Sequence, residues 1–297
     1  KGWLQFINSC FIFISLLLVY VAFRLLNNGT LSAFDSKVVF YLGCNALFVV
    51  AAYPLVFLFE KIFSFVSTSR LFELSDTNSK LLLELANKAP GSFQHSLQVA
   101  NMASAAARKI GGDVMLSRVG ALYHDIGKIA NPQCFIENQA PDVDFHHDLT
   151  PEESAHQIIR HVDDGVELAR KYNLPEIVID FIRTHHARSL TGYFYNVYCN
   201  KGGDPDNKEP FMYHGEYPKT KEQVIVLMAD AVEAASRSLK KYTEESISDL
   251  VEKIMAARLA DDQLLEADIS IKEINAVKEM FKEQLLQMYH ARIAYPT

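Results

Sequence analysis

The stretch Arg118-Val119-Gly120-Ala121-Leu122-Tyr123-His124-Asp125-Ile126-Gly127-Lys128 decides how the rest of the chain is read. It begins as an apolar helical segment and ends on a histidine followed directly by an aspartate. One neutral nitrogen beside one anionic oxygen is the donor mixture that suits Fe, Mn, Zn or Ni. Gly127 lets the backbone turn. Lys128 either faces a phosphate or sits solvated at a helix end. A His-Asp pair alone is common, so its weight depends on the residues that accompany it.

Those residues are spread along the chain. His95 lies in an almost wholly apolar helix, in line with Val99, Met102 and Ala106. It reads either as a core histidine bonded to a carbonyl or as a ligand. Between Val224 and Ala235 the only polar residues are Asp230 and Glu233, so Asp230 is expected in a buried helix. An unpaired carboxylate there costs several kcal/mol, which calls for a cation or dense hydrogen bonding. His185-His186 closes another helix; adjacent residues point about 100° apart, so both reach one site only near a terminus. His161 precedes Gly165 and Ala169, small enough to let a neighbour approach closely. His146-His147 falls in an aspartate-rich loop. His156 stands about 140° from His161 on the same expected helix, so the two do not face one site.

Working outward, 3.6-residue periodicity predicts helices over Phe93–Ile110, Asp113–His124, Pro151–Tyr172, Pro175–His186, Lys221–Lys240, Thr243–Leu259 and Ile271–Tyr289. Alternating strands are absent, so the fold class is all-α. Pro90-Gly91-Ser92 breaks the chain before the first of these, with Ser92 as its expected cap. Gln133–Leu149 and Leu190–Pro218 read as irregular, and long loops in a helical domain tend to be functional or mobile.

The 297 residues hold 49% apolar and 22% charged residues with a net charge of −7, but residues 1–66 carry almost none of the charge. Leu4–Leu26 and Val38–Phe59 are each long enough, at ~1.5 Å per residue, to cross a ~30 Å hydrocarbon core. Asn27–Ser32 reads as the turn between them, Asp35 and Lys37 as the restart, and Arg24 can snorkel to the interface. The organisation is therefore a transmembrane hairpin over 1–62, a juxtamembrane connector helix over 63–90 and a helical domain over 91–297. Lys1, Lys61 and Arg70 flank the outer ends, so the positive-inside rule places the domain in the cytoplasm of a multi-pass cell-membrane protein. The start at Lys1 reads as the C-terminal part of a longer protein. Acidity argues against a nucleic-acid polymer as partner. The four scattered cysteines suit a reducing compartment.

The ordered set His95, His124-Asp125 and Asp230 resembles the metal signature of the HD phosphohydrolase superfamily, and His161 with His185-His186 resembles its two-metal branch, which includes HD-GYP domains. More narrowly, LFELSDTN (71–78), APGSFQHSL (89–97), RVGALYHDIGK (118–128), FIENQ (135–139) and ADAVEAASRSL (229–239) resemble the seven-transmembrane HD family of cyclic di-AMP phosphodiesterases, the two spans matching the last two of its seven. Ala187 stands where that family leads one to expect glycine, and Asn78-Ser79-Lys80 replaces a His-Pro-type sequence. The resemblance implies a first metal on His95, His124, Asp125 and Asp230, and a second on Asp125, His161, His185 and His186. Fe and Mn both suit these ligands.

A two-metal centre brings the pKa of bound water towards ~7. The implied reaction is attack by a bridging hydroxide on a phosphodiester of cyclic di-AMP, releasing a ribose 3′ oxygen and leaving linear pApA. Lys128 would help neutralise the charge. Arg188 and Tyr193, just beyond the histidine pair, are candidates for holding phosphate and base; the aromatics at 193–195 can stack on adenine or pack under the loop. The partners implied are the cyclic dinucleotide, the membrane and, as an admissible assembly, a homodimer. Two readings compete: an HD phosphohydrolase of another nucleotide, cyclic di-GMP or a mononucleotide, and a degenerate HD receptor. A mononuclear site has no need of His161 and the His185-His186 pair, and a decaying site would be expected to lose a ligand.

Overall fold

Apolar periodicity becomes helix throughout the computed structural model, which describes residues 2–29, 35–63, 65–140 and 143–290. Lys1, the turn residues Thr30–Ser32 and the last residues, 291–297, lie outside the described residues. The chain divides into two units, Lys1–Phe65 and Val66–Thr297.

In the first unit, α1 (Gly2–Asn28) and α2 (Ser36–Phe63) pack against each other. Asp35 starts α2 by accepting from the Lys37 backbone N–H at 2.9 Å. The Tyr20 hydroxyl accepts from Arg24 Nε at 3.2 Å and from the Asp35 N–H at 3.0 Å, tying the end of α1 to the start of α2. Phe11, Leu18, Val19, Phe23, Leu47 and Phe48 are 62–71% exposed. Exposed apolar area is unfavourable in water by about 25 cal/mol per Å². Both helices are long and apolar enough to cross a membrane.

The second unit contains α3 (Thr68–Leu74), α4 (Lys80–Lys88), α5 (Pro90–Ile110), α6 (Val114–Tyr123), α7 (Pro151–Ile159), α8 (His161–Lys171), α9 (Glu176–Thr184), α10 (Gly192–Asn200), α11 (Lys221–Ser236), α12 (Glu244–Ala260) and α13 (Ile271–His290). Among the described residues there is no strand, only an isolated bridge between Leu190 and Met212. Helix α5 runs through the middle, its Val99, Ala100, Met102, Ala103, Ala106 and Ala107 fully buried. That small-residue face lets α6, α11 and α13 pack closely around it.

Four details differ from the sequence reading. The segment expected as a separate connector folds as α3 and α4, and its Leu71, Leu74, Leu81, Leu82 and Leu85 join the same core. Helix α5 starts at Pro90 rather than after Ser92, because proline suits a first helical position. The Ser92 hydroxyl donates instead to Glu137. The single helix expected over Pro151–Tyr172 is interrupted at Arg160, where His161 Nδ1 engages the Ile158 carbonyl at 2.7 Å. Lastly, α10 lies inside the stretch read as irregular, and its Tyr195 and Tyr198 pack on Phe211.

Candidate metal centre

Every predicted metal-binding side chain comes from a helix end or a buried helix face. Helix α5 supplies His95, and α11 supplies Asp230. His124 caps the C-terminus of α6, and Asp125 leads into the 3-10 turn Ile126–Ile129. His161 opens α8 at the interruption just described, and His185 caps α9 with His186 following. The chain leaves the histidine pair through Ala187 at φ 47°, the left-handed region where glycine is expected.

The seven side chains converge on one buried cluster. Asp125 sits at its middle with its oxygens turned to opposite sides. Oδ2 is 3.3 Å from His124 Nε2 and 3.6 Å from His95 Nε2; Oδ1 is 3.4 Å from His161 Nε2 and 3.7 Å from His185 Nε2. Asp230 Oδ1 is 2.9 Å from His95 Nε2 and 3.8 Å from His124 Nε2, and its Oδ2 is 3.5 Å from His186 Nδ1. Two groups have donor atoms within 4.8 Å of one another: His95, His124 and Asp125, and His161, His185 and His186. His146 and His147 stay outside; His146 Nε2 faces the Cys134 carbonyl at 2.8 Å, and His147 is exposed.

The hydrogen bonds behind the cluster set the tautomers. The Nδ1–H of His124, His161 and His185 donates to the carbonyls of Ala121, Ile158 and Ile182 at 2.7, 2.7 and 2.9 Å. Each Nε2 lone pair then points inward, as a metal ligand must. His95 Nδ1 is held by Glu233 at 2.5 Å, and Glu233 in turn accepts from Arg237 on both oxygens. This carboxylate–histidine relay is the arrangement that raises ligand basicity around bound metals.

Left to itself, the cluster is badly satisfied. His124 Nε2 and both Asp125 oxygens are buried without a hydrogen bond. Lys128 Nζ lies 2.8 Å from Asp125 Oδ2 as an ion pair. His161 Nε2 and His185 Nε2 face each other at 3.1 Å, two lone pairs opposed once both Nδ1 atoms donate. Buried polar atoms are rarely left so, and cations between them would remove every conflict. The N/O donor set fits divalent transition metals.

Electrostatics point the same way. Burial first, and then the neighbouring His124 and His161 rings, lower His185 to about 3. Burial also lowers His161 and His186. These three rings are therefore neutral and ready to ligate. Against burial, Asp125 pulls His124 up to about 10, and bonds to Asp230 and Glu233 raise His95.

A cavity of about 760 Å³ opens beside the cluster, reached by His95, His161, His186 and Asp230 and by Lys128. Lys128 is held between Asp125 and Glu137, 2.9 Å from the latter. Neither of the two substrate contacts expected from sequence lines this cavity. Arg188 places its guanidinium over the Tyr217 ring, 5.0 Å from its centroid, while its backbone N–H is tied to Gln263. Tyr193 is 75% exposed and lines a neighbouring cavity with Phe194 and Val197. Among the lining residues not proposed as site residues from sequence are Glu137, Tyr213, Arg237 and Arg258. Of these, Arg237 carried a signal, four residues after the isolated Glu233.

The HD domain family profile matches residues 92–235. The cyclic-di-AMP phosphodiesterase PgpH of Listeria monocytogenes is 40% identical over 284 residues, 94% of this chain and 39% of that protein. PgpH of Bacillus subtilis is 37% identical over 286 residues, 94% of this chain and 40% of that protein. The chain thus spans about two fifths of the length of these relatives. The crystal structure of the L. monocytogenes phosphodiesterase PgpH HD domain in complex with cyclic-di-AMP superposes with a TM-score of 0.69 at 39% identity, covering 72% of this chain and 100% of that one.

Proposed function

The chain belongs to the HD domain family, and on that footing we propose that it is a metal-dependent phosphodiesterase opening cyclic di-AMP to linear pApA. The observation that carries the reading is Asp125, whose two oxygens face two separate sets of histidines. His95, His124, Asp125 and Asp230 would hold one divalent ion; Asp125, His161, His185 and His186 would hold the other. The neighbouring chemistry favours Fe or Mn. The base preference comes from the relatives, both cyclic-di-AMP phosphodiesterases by name.

Such a pair, when bound, acidifies a water to serve as nucleophile and offsets the charge of the transferring phosphoryl group. The chain's own residues do the remainder. Carbonyl bonds from Nδ1 lock His124, His161 and His185 in the ligating tautomer, and Glu233 orients His95. Lys128, fixed by Asp125 and Glu137 at the cavity wall, is a preorganised cation for phosphate oxygens. The cavity's Phe135 and Ile136 provide apolar surface for a nucleoside. The domain organisation we favour is a membrane hairpin over 1–62, then a juxtamembrane segment over 63–90 whose leucines pack into the core of the HD domain over 91–297, facing the cytoplasm of a multi-pass membrane protein.

The test compares kcat/KM for cyclic di-AMP and cyclic di-GMP with metal content measured on the same sample. A clear preference for cyclic di-AMP at two metals per chain supports the reading. Equal values, a preference for cyclic di-GMP, or one metal at saturation would overturn it. Asp125→Ala should remove both ions and the activity.

A further inference from the structure

Three cations line the metal-side cavity, and two of them already have carboxylate partners. Lys128 is engaged by Asp125 and Glu137. Arg237 is engaged through both Glu233 oxygens. The third, Arg258 on α12, is half-buried and has no ion pair or hydrogen bond of its side chain among the described residues, although Asp261 lines the same wall. A partly buried arginine with no paired carboxylate among the described residues would be stabilised by a bound anion.

A second unpartnered group shares this cavity. Tyr213 is only 6% exposed, and its hydroxyl has no hydrogen-bond partner among the described residues. Its ring is held by a tilted contact with His186, centroids 4.2 Å apart at 33°. Its backbone is fixed by the bond from its N–H to the Ser189 carbonyl, 2.9 Å. The ring is buried but the hydroxyl itself stays accessible, so this rigid donor is presented to the cavity. A guanidinium fork and a phenol donor in one apolar-walled cavity are the chemistry of a phosphate site.

We infer that Arg258 and Tyr213 form a second phosphate subsite, which takes the phosphate of a cyclic dinucleotide that is not being cut. The inference rests on the reading under Proposed function, since it presumes that the metal cluster takes the scissile phosphate. Its consequence is selectivity. A substrate with two phosphates engages both subsites, whereas a diester with one forgoes Arg258 and Tyr213. The two residues are positioning groups, felt in substrate binding more than in the chemical step.

The experiment uses the full chain in detergent, loaded with Mn²⁺, with cyclic di-AMP and bis(p-nitrophenyl) phosphate as two- and one-phosphate substrates. Arg258→Ala deletes a charge-assisted hydrogen bond to the second phosphate and should raise KM for cyclic di-AMP about 10- to 100-fold with little change in kcat. The effect on the one-phosphate diester should be at least about tenfold smaller. Arg258→Lys should recover part of the affinity. Tyr213→Phe keeps the ring on His186 and should cost about 3- to 10-fold in KM. The Kd of the slowly cleaved bis-phosphorothioate analogue should weaken by the same factors, with metal content unchanged. Equal effects on both substrates, or none on either, would overturn the subsite while leaving the phosphodiesterase standing. A parent chain that cleaves the small diester but neither binds nor cleaves cyclic di-AMP would instead defeat the underlying reading, and the subsite with it.

Discussion

Gly127→Ala tests how the fold holds the two halves of the cluster together. The motif suggests a glycine needed for a turn, but Gly127 is not among the positive-φ glycines. What it provides is proximity. A Cβ there would lie 1.8 Å from the His161 carbonyl oxygen and 2.5 Å from the Gly165 nitrogen, whereas real Cβ contacts essentially never fall under 3.0 Å. Both obstacles are backbone, so the 3-10 turn carrying Asp125 and the start of α8 carrying His161 must part by roughly 1 Å; metal–ligand distances tolerate about 0.2 Å. Overpacking of this kind costs about 1–3 kcal/mol or more. At about 2–4 °C per kcal/mol for a unit of this size, Tm should fall by about 2–12 °C. The His161 side of the cluster should lose its ion first. Melting followed by circular dichroism, with metal counted per chain, reads both effects. Gly192→Ala is the control, because nothing lies within 4 Å of its Cβ. A Gly127→Ala chain that melts within about 1 °C of its parent, with the parent's metal content, would refute the close-approach argument.

Three further outcomes follow from the same geometry. Glu233→Gln weakens the acceptor that orients His95 and should lower metal affinity about 10- to 100-fold without unfolding the chain; a Mn²⁺ titration matching the parent's removes that role. Chelation should lower Tm by about 5–10 °C if the ions sit near a hundredfold above their Kd, with re-addition of Mn²⁺ restoring it; an unmoved Tm speaks against resident metals. A reporter fused after Thr297 should be active only inside the cell, and activity only outside would reverse the assigned orientation.

Much of the site was legible because its chemistry contradicts its surroundings. A carboxylate in the apolar stretch Val224–Ala235 has to be compensated, and Asp230 is, by His95, His124 and His186. His95 could not be assigned from its own helix, since the residue that orients it, Glu233, is 138 positions away. Nearness in sequence did not become nearness to the metal-side cavity. Arg188 and Tyr193 follow the histidine pair, but Ala187 reverses the backbone at φ 47° and hands the next N–H to Gln263. Tyr213 returns instead, carried by the bonds from its own N–H to Ser189 and from the Gly215 N–H to Ala187. Arg258 gave no signal at all, because on an amphipathic helix it resembles any surface arginine. The interruption at Arg160 was equally hidden, since it depends on a histidine competing for its own helix's carbonyl.

The same few bonds tie metal side and substrate side together. Asn138 Oδ1 accepts from the Gly91 and Ser92 N–H groups, so the 135–138 loop closes over the first turn of α5. Glu137, from that loop, accepts from Ser92 Oγ and from Lys128 Nζ at 2.9 Å each. Lys128 also contacts Asp125, and Phe135 lies under its ammonium group, 4.7 Å from the ring centroid. A disturbance of the loop would therefore reach the cavity wall, the lysine and the central carboxylate together. Arg237 does the same from α11: it lines the cavity while holding Glu233, and through it His95. An anion entering the cavity competes with Glu137 and Glu233 for these two cations. Whatever it wins is taken from residues that contact or orient metal ligands, which is why a third cation, Arg258, unpaired among the described residues, gives the cavity a way to hold phosphate without loosening its own metal site.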